Sequence, residues 1–128
     1  MRASLLRPGV ALAPSLLLVL LACAHGSYTT MVANPPPPRP TGCALDVFDN
    51  PAEVGRPFKR VCLISGESGA AATLDEAMGA IRENACKCGA QAVLINQVQS
   101  QGNRFSGIKL NLTAYGIVYE DPKADRAK

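Results

Sequence analysis

The sequence predicts an α+β fold: a two-layer sandwich of one main helix on a four-stranded mixed sheet, in the order β-β-α-β-β. Three observations predict it. A stretch with helical apolar spacing and a cap at each end lies near the middle of the folded region. Two β-rich runs precede it and two follow it. Turn residues separate all five segments.

The first strand is Ala44–Phe48, with Leu45, Val47 and Phe48 apolar. Asp49-Asn50-Pro51 is a turn signal. The second strand is Phe58–Ser65, where the Val61–Ile64 run suits burial. Gly66-Glu67-Ser68-Gly69 ends it and lacks the lysine of a phosphate loop. Thr73-Leu74-Asp75-Glu76 reads as a capping box, so the helix starts at Leu74. Leu74, Met78, Ile81, Ala85 and Cys88 draw one stripe along it. Gly89 is the natural left-handed stop, giving a helix over Leu74–Lys87. A third strand spans Gln91–Val98, and Gln99–Gly107 is a polar turn. Ile108–Tyr119 alternates as a half-buried strand should: Ile108, Leu110, Leu112, Ala114 and Val118 on one face, Lys109, Asn111, Thr113, Tyr115 and Tyr119 on the other. Gly116 falls in the apolar register and allows a close approach. Ile117 breaks the alternation, which implies cover on the far face as well. The helix lets the strands on either side of it run parallel, with antiparallel pairs flanking them.

The domain occupies residues 43–121 of a 128-residue chain. Residues 122–128 read as a polar tail. Residues 1–22 read as a signal peptide: Arg2 and Arg7 precede a 13-residue run, Val10–Ala22, that is apolar apart from Ser15. Such a run is too short to span a bilayer, which takes about 20 residues. Ala22-Cys23-Ala24 fits cleavage after Ala24, whereas Leu20-Leu21-Ala22-Cys23 resembles a bacterial lipobox, with lipid on the sulfur of Cys23. Five cysteines are odd for an exported chain. Giving Cys23 to lipid leaves four that can pair, which favours the lipobox. The resemblance to bacterial lipoproteins implies two or three acyl chains there, enough for stable anchoring, and it implies that Ala24, in place of an aspartate, favours the outer membrane. Residues 23–42 then form a lipidated, proline-rich spacer. Pro35–Pro38, Arg39 and Pro40 favour an extended polyproline rod, which serves as a spacer or docks on a partner.

The net charge of +3 falls to +1 once Arg2 and Arg7 leave with the leader. No basic patch points to nucleic acid. The single histidine, His25, falls in the spacer, so a Ser-His-Asp arrangement within residues 43–121 is excluded. Nothing predicts an enzyme, a cofactor, a small-molecule substrate or a dedicated metal site. Cys43, Cys62, Cys86 and Cys88 instead predict two disulfides in an oxidising compartment. At about 100° per residue, Cys86 sits about 160° from the stripe that carries Cys88. That favours Cys62 with Cys88 and Cys43 with Cys86. The alternative is that these sulfurs bind a soft metal such as Zn²⁺ or Cu(I), or exchange redox state.

The run Asp46-Val47-Phe48-Asp49-Asn50-Pro51-Ala52-Glu53-Val54-Gly55-Arg56-Pro57-Phe58, followed by Ile64-Ser65-Gly66-Glu67-Ser68, resembles the opening of the RcsF family of outer-membrane lipoproteins. Gly89-Ala90-Gln91-Ala92-Val93-Leu94 is similar to the helix-to-strand junction of that family and of small YbjQ-like domains. Ala114-Tyr115-Gly116 sits where its last strand closes the domain. The cysteines fall at other places, so no bond is carried over. The resemblance implies a lipid-anchored protein of the outer membrane, facing the periplasm or partly surface-exposed. It implies envelope-stress signalling through a β-barrel assembly protein and an inner-membrane regulator as partners.

Overall fold

The computed structural model describes residues 24–69, 72–103 and 107–121. The leader, Cys23 and the tail at 122–128 lie outside the described residues. Among the described residues there are five strands: β1 (His25–Thr30), β2 (Asp46–Phe48), β3 (Phe58–Glu67), β4 (Ala92–Asn103) and β5 (Gly107–Tyr119). One helix, α1, spans Leu74–Lys87, and a short 3-10 turn spans Pro51–Val54. The strands form one sheet in the order β1-β3-β5-β4-β2.

Among the described residues the fold is α+β with one α-helix on a mixed sheet, but the sheet has five strands where the sequence predicts four. The extra one comes from the segment read as a spacer. His25–Thr30 pairs antiparallel with β3, His25 opposite Glu67 and Thr30 opposite Cys62. Two glycines explain its inclusion. A Cβ on Gly26 would lie 2.6 Å from Asn84 Nδ2 and 3.1 Å from Ala80 Cβ; one on Gly66 would lie 2.7 Å from the Ala77 carbonyl. Without side chains at both positions, α1 settles low over β1 and β3. Val32, just beyond β1, packs on the core.

A second correction concerns β2. It pairs parallel with β4 rather than antiparallel with the strand that follows it. The nine residues between β2 and β3 include the 3-10 turn, capped by the Asn50 side chain accepting from Ala52 N. This turn buries Val54 against the far face, and so carries the chain across the sheet instead of folding it back in a hairpin. A third difference follows from β5. It lies between β3 and β4 and is antiparallel to both. The strands flanking α1 do run in the same direction, but they are not neighbours. The predicted polar turn at Gln99–Gly107 is mostly ladder as well, because β4 and β5 continue as a long hairpin to Asn103 and Gly107.

Helix α1 has the predicted bounds, but its buried face is rotated. Ala77, Ala80, Ile81, Asn84, Ala85 and Cys86 are buried, while Leu74 is exposed. Small side chains win the sheet-facing positions because the glycine-bearing strands lie so close. Only half of the capping box forms: Thr73 Oγ1 accepts from Glu76 N at 3.3 Å, while Glu76 Oε2 is buried without a partner among the described residues.

The main core lies between α1 and the sheet: Val61, Cys62, Ile64, Ile81, Val93, Leu112 and their neighbours. Burying each of the larger aliphatic side chains contributes about 1.5–3 kcal/mol. A second, smaller core on the far face gathers Val54, Ala92, Leu94 and Ile117, flanked by Phe48, Phe58, Tyr115 and Tyr119. This is the cover that the break in alternation at Ile117 predicts. Among the described residues, no helix is long and apolar enough to cross a membrane.

Candidate functional site

Disulfides join Cys43 to Cys86 and Cys62 to Cys88. They do different jobs. Cys62 on β3 and Cys88 at the end of α1 are both buried, and their bond ties the helix to the sheet through the main core. The Cys43–Cys86 bond ties the other side of the same helical turn to the incoming chain. All four sulfurs of the domain are thereby occupied, and no cluster of metal-ligating side chains occurs among the described residues. Gly116 lies beneath the Cys62–Cys88 bond. A Cβ there would collide with Cys62 Sγ and stand 3.1 Å from Cys88 Sγ. The glycine thus makes room for the sulfur pair.

The proline-rich run is docked, and its partner is its own domain. Arg39 N donates to the Cys86 carbonyl at 2.8 Å, an oxygen at the end of α1 that also accepts from Gly89 N at 3.1 Å. Arg39 Nη1 donates to the carbonyls of Ala90 at 2.8 Å and Ala44 at 3.1 Å. Gly89, at φ +79°, is the left-handed stop the sequence predicts, and it also lies under the prolines. A Cβ on it would meet the Pro37 carbonyl at 2.6 Å and Pro36 Cγ at 2.9 Å.

Two shallow, open clefts adjoin at this end of the sheet. One, of about 450 Å³, is lined by Arg56, Pro57, Gln91, Tyr119, Glu120 and Asp121. The other, of about 400 Å³, lies between the prolines and Val118, sharing Gln91 and Tyr119. Tyr119 organises both. Its hydroxyl donates to Asp46 Oδ2 at 2.9 Å, and its ring carries the Arg56 guanidinium 3.3 Å above the centroid. Partial desolvation and the bond to Asp46 push the Tyr119 hydroxyl above its ordinary pKa, against the opposing pull of Arg56. Arg60 stacks similarly over Tyr115, at 4.3 Å. The far face therefore presents two arginines held over tyrosines. The sequence marks Tyr115 and Tyr119 as outward-facing but carries no signal for their arginine partners.

His25 does not lie outside the folded part, as its place in a spacer implies. It sits on β1 with Ser27, facing Ser65 and Glu67 of β3 across a shallow depression of about 230 Å³. No side-chain hydrogen bond links these four among the described residues.

No family model matches the chain, and no curated protein does. Among solved structures, the chain is similar to the Francisella virulence factor FvfA. The match has 13% identity, covers 72% of this chain and 95% of that one, and has a TM-score of 0.53. It bears on the fold alone.

Proposed function

We propose that this chain is an outer-membrane lipoprotein whose small, disulfide-braced domain binds envelope proteins and relays envelope stress, as its resemblance to the RcsF family implies. One observation carries the reading. Leu20-Leu21-Ala22-Cys23 ends an apolar leader, and the other four cysteines are paired with one another, which leaves Cys23 alone for lipid. The clefts around Tyr119 support a protein partner: they are shallow and open, and their arginine–tyrosine pairs are of the kind that anchors protein interfaces. Cys23→Ala should move the protein from the membrane fraction to the soluble one. Mass spectrometry of the mature protein should find a diacylated or triacylated Cys23 at its N-terminus. An unmodified N-terminus at His25 would refute the reading.

The redox alternative has one supporting feature. The Cys43–Cys86 bond has its Cys43 end half-buried rather than enclosed, so it is the bond that a reductant can reach. Thiol counting on protein isolated from stressed and unstressed cells tests this. Free Cys43 and Cys86 appearing under stress would favour redox sensing over a purely structural bond.

A further inference from the structure

Cα partners place His25, Glu67, Asn111 and Gln99 in one row across β1, β3, β5 and β4. The β4–β5 hairpin continues four residues past this row on each strand, to Asn103 and Gly107. At about 3.3 Å per residue it projects roughly 13 Å beyond the start of β1. Cys23 precedes His25 by two residues, so the chain between them spans about 7 Å at most. The strand that leads out of the lipidation site and the projecting hairpin are therefore at the same end of the molecule, and the hairpin reaches further.

That end is also apolar. Val98 pairs with Leu112, Ser100 with Leu110 and Gly102 with Ile108. Directly opposed residues share a face, and Leu112 belongs to the core under α1. Val98, Leu110 and Ile108 thus stand on the helix side of the hairpin. Leu74 opens α1 one turn beyond Ala77, whose carbonyl lies over Gly66, so it sits at the same end and on the same side. Leu74 and Val98 are each 52% exposed and Ile108 is 61% exposed. Three large aliphatic side chains left in water at one end call for a partner surface. Lys109 lies on the opposite face of the hairpin, where an ammonium can meet a lipid phosphate.

We infer that Leu74, Val98, Ile108 and Leu110 lie in the interfacial layer of the bilayer that holds the Cys23 acyl chains, so that the domain stands on the membrane by its hairpin end. The inference rests on the lipoprotein reading. Its geometric ground is that β1 leaves no leash: a bilayer within two residues of His25 meets a hairpin that projects past it. Apolar side chains beside a lipid anchor add a second point of attachment. The Tyr119 clefts, at the opposite end of the sheet, then face away from the lipid.

The chain has no tryptophan, so a single one reports its own surroundings. Ile108→Trp and Met31→Trp place it at opposite ends of the molecule, both at exposed positions; Val98→Trp serves as a second hairpin probe. Each full-length, lipidated protein is reconstituted into phosphatidylethanolamine–phosphatidylglycerol vesicles containing brominated lipid. Flotation of the vesicles reads the anchor, and quenching reads the hairpin. The hairpin probes should be quenched several-fold more than Met31→Trp. Equal quenching in a protein that floats would overturn the inference and leave the anchor standing. Blue-shifted but unquenched hairpin emission would also overturn it, by showing that protein covers the ridge. Failure to float, with no acyl chain on Cys23, would remove both the anchor and the inference.

Discussion

Gly116 of β5 sits opposite Cys62 of β3, and the space its missing side chain leaves is filled by the Cys62 sulfur. The main disulfide and the strand beneath it are fitted to one another, because Ala90 Cβ also comes within 3.0 Å of a Cβ at this position. Gly116→Ala must push the sulfurs or the strand aside, and overpacking of this kind costs about 1–3 kcal/mol. Chemical denaturation of the oxidised protein should show that loss. If the cost arises at the sulfurs, it should shrink in the background of Cys62→Ala with Cys88→Ala.

The two disulfides differ in both reach and accessibility. The Cys43–Cys86 bond spans 43 residues and the Cys62–Cys88 bond spans 26. Chain-entropy arguments give each about 3–4 kcal/mol of stability. Exchange requires a thiolate to reach a sulfur, and Cys62 and Cys88 lie in the core while Cys43 is half-buried. Mild reductant should open Cys43–Cys86 first. Alkylation followed by peptide mass spectrometry would record the order, and simultaneous opening would contradict the burial difference.

Tyr119 makes alkaline stability testable. Its hydroxyl has a folded-state pKa above the ordinary value near 10. The folded state therefore holds this proton more tightly than the unfolded chain does. Its contribution is complete below about pH 10 and is lost as pH rises through the folded-state value. Tyr119→Phe deletes the bond to Asp46, so it should lower stability at neutral pH and flatten the decline above pH 10. Absorbance titration should show a late-titrating phenol in the native protein that Tyr119→Phe removes.

The sequence reveals most where local chemistry decides, and least where the chain returns from a distance. The bounds of α1 are legible because Thr73 and Gly89 act within a few residues of themselves. The break at Ile117 discloses the far-face core because period-two alternation is a local property. The role of His25–Thr30 is hidden. Tyr28, Thr29 and Thr30 have ordinary strand propensity, but six residues between a leader and a proline run look like a linker until Gly26 is seen under Asn84. The pairing of β2 with β4 is hidden for a similar reason, since nothing within Asp46–Phe48 states which of four strands it joins. Arg39 looks like a solubilising charge among prolines, yet it holds two carbonyls on either side of the Cys43–Cys86 bond.

Arg39→Ala would leave the carbonyls of Ala90 and Ala44 without this donor. The bond to Ala90 is part-buried and the one to Ala44 exposed, so most of the cost falls on the former, where losing a charge-assisted bond costs about 1.5–3 kcal/mol. The proline run should then loosen from Gly89, and hydrogen exchange at Gly89 and Ala90 should speed up while the amides of β5 keep their protection. Unchanged exchange would mean that packing and the backbone bond from residue 39 to the Cys86 carbonyl hold the prolines without the arginine side chain.

The sharpest contrast between a spacer and a strand lies at Gly26. In a flexible spacer, any side chain there would be silent. In the sheet, the first carbon of a side chain already falls 2.6 Å from Asn84 Nδ2, and Asn84 is fixed by its own bond to the Ala80 carbonyl at 2.9 Å. A branched residue therefore has to lift β1 from α1 or break that bond. Gly26→Val should cost about 1–3 kcal/mol by overpacking, with loss of amide protection along Tyr28–Thr30 and at the facing positions of β3. Ser27→Val, one residue along and pointing to the open face, adds the same bulk without meeting the helix and should be nearly neutral. Equal stability of Gly26→Val and Ser27→Val in thermal unfolding would return residues 25–30 to the role of a tether. It would also detach the hairpin from the neighbourhood of Cys23, since only a strand that begins two residues after the anchor keeps the two together.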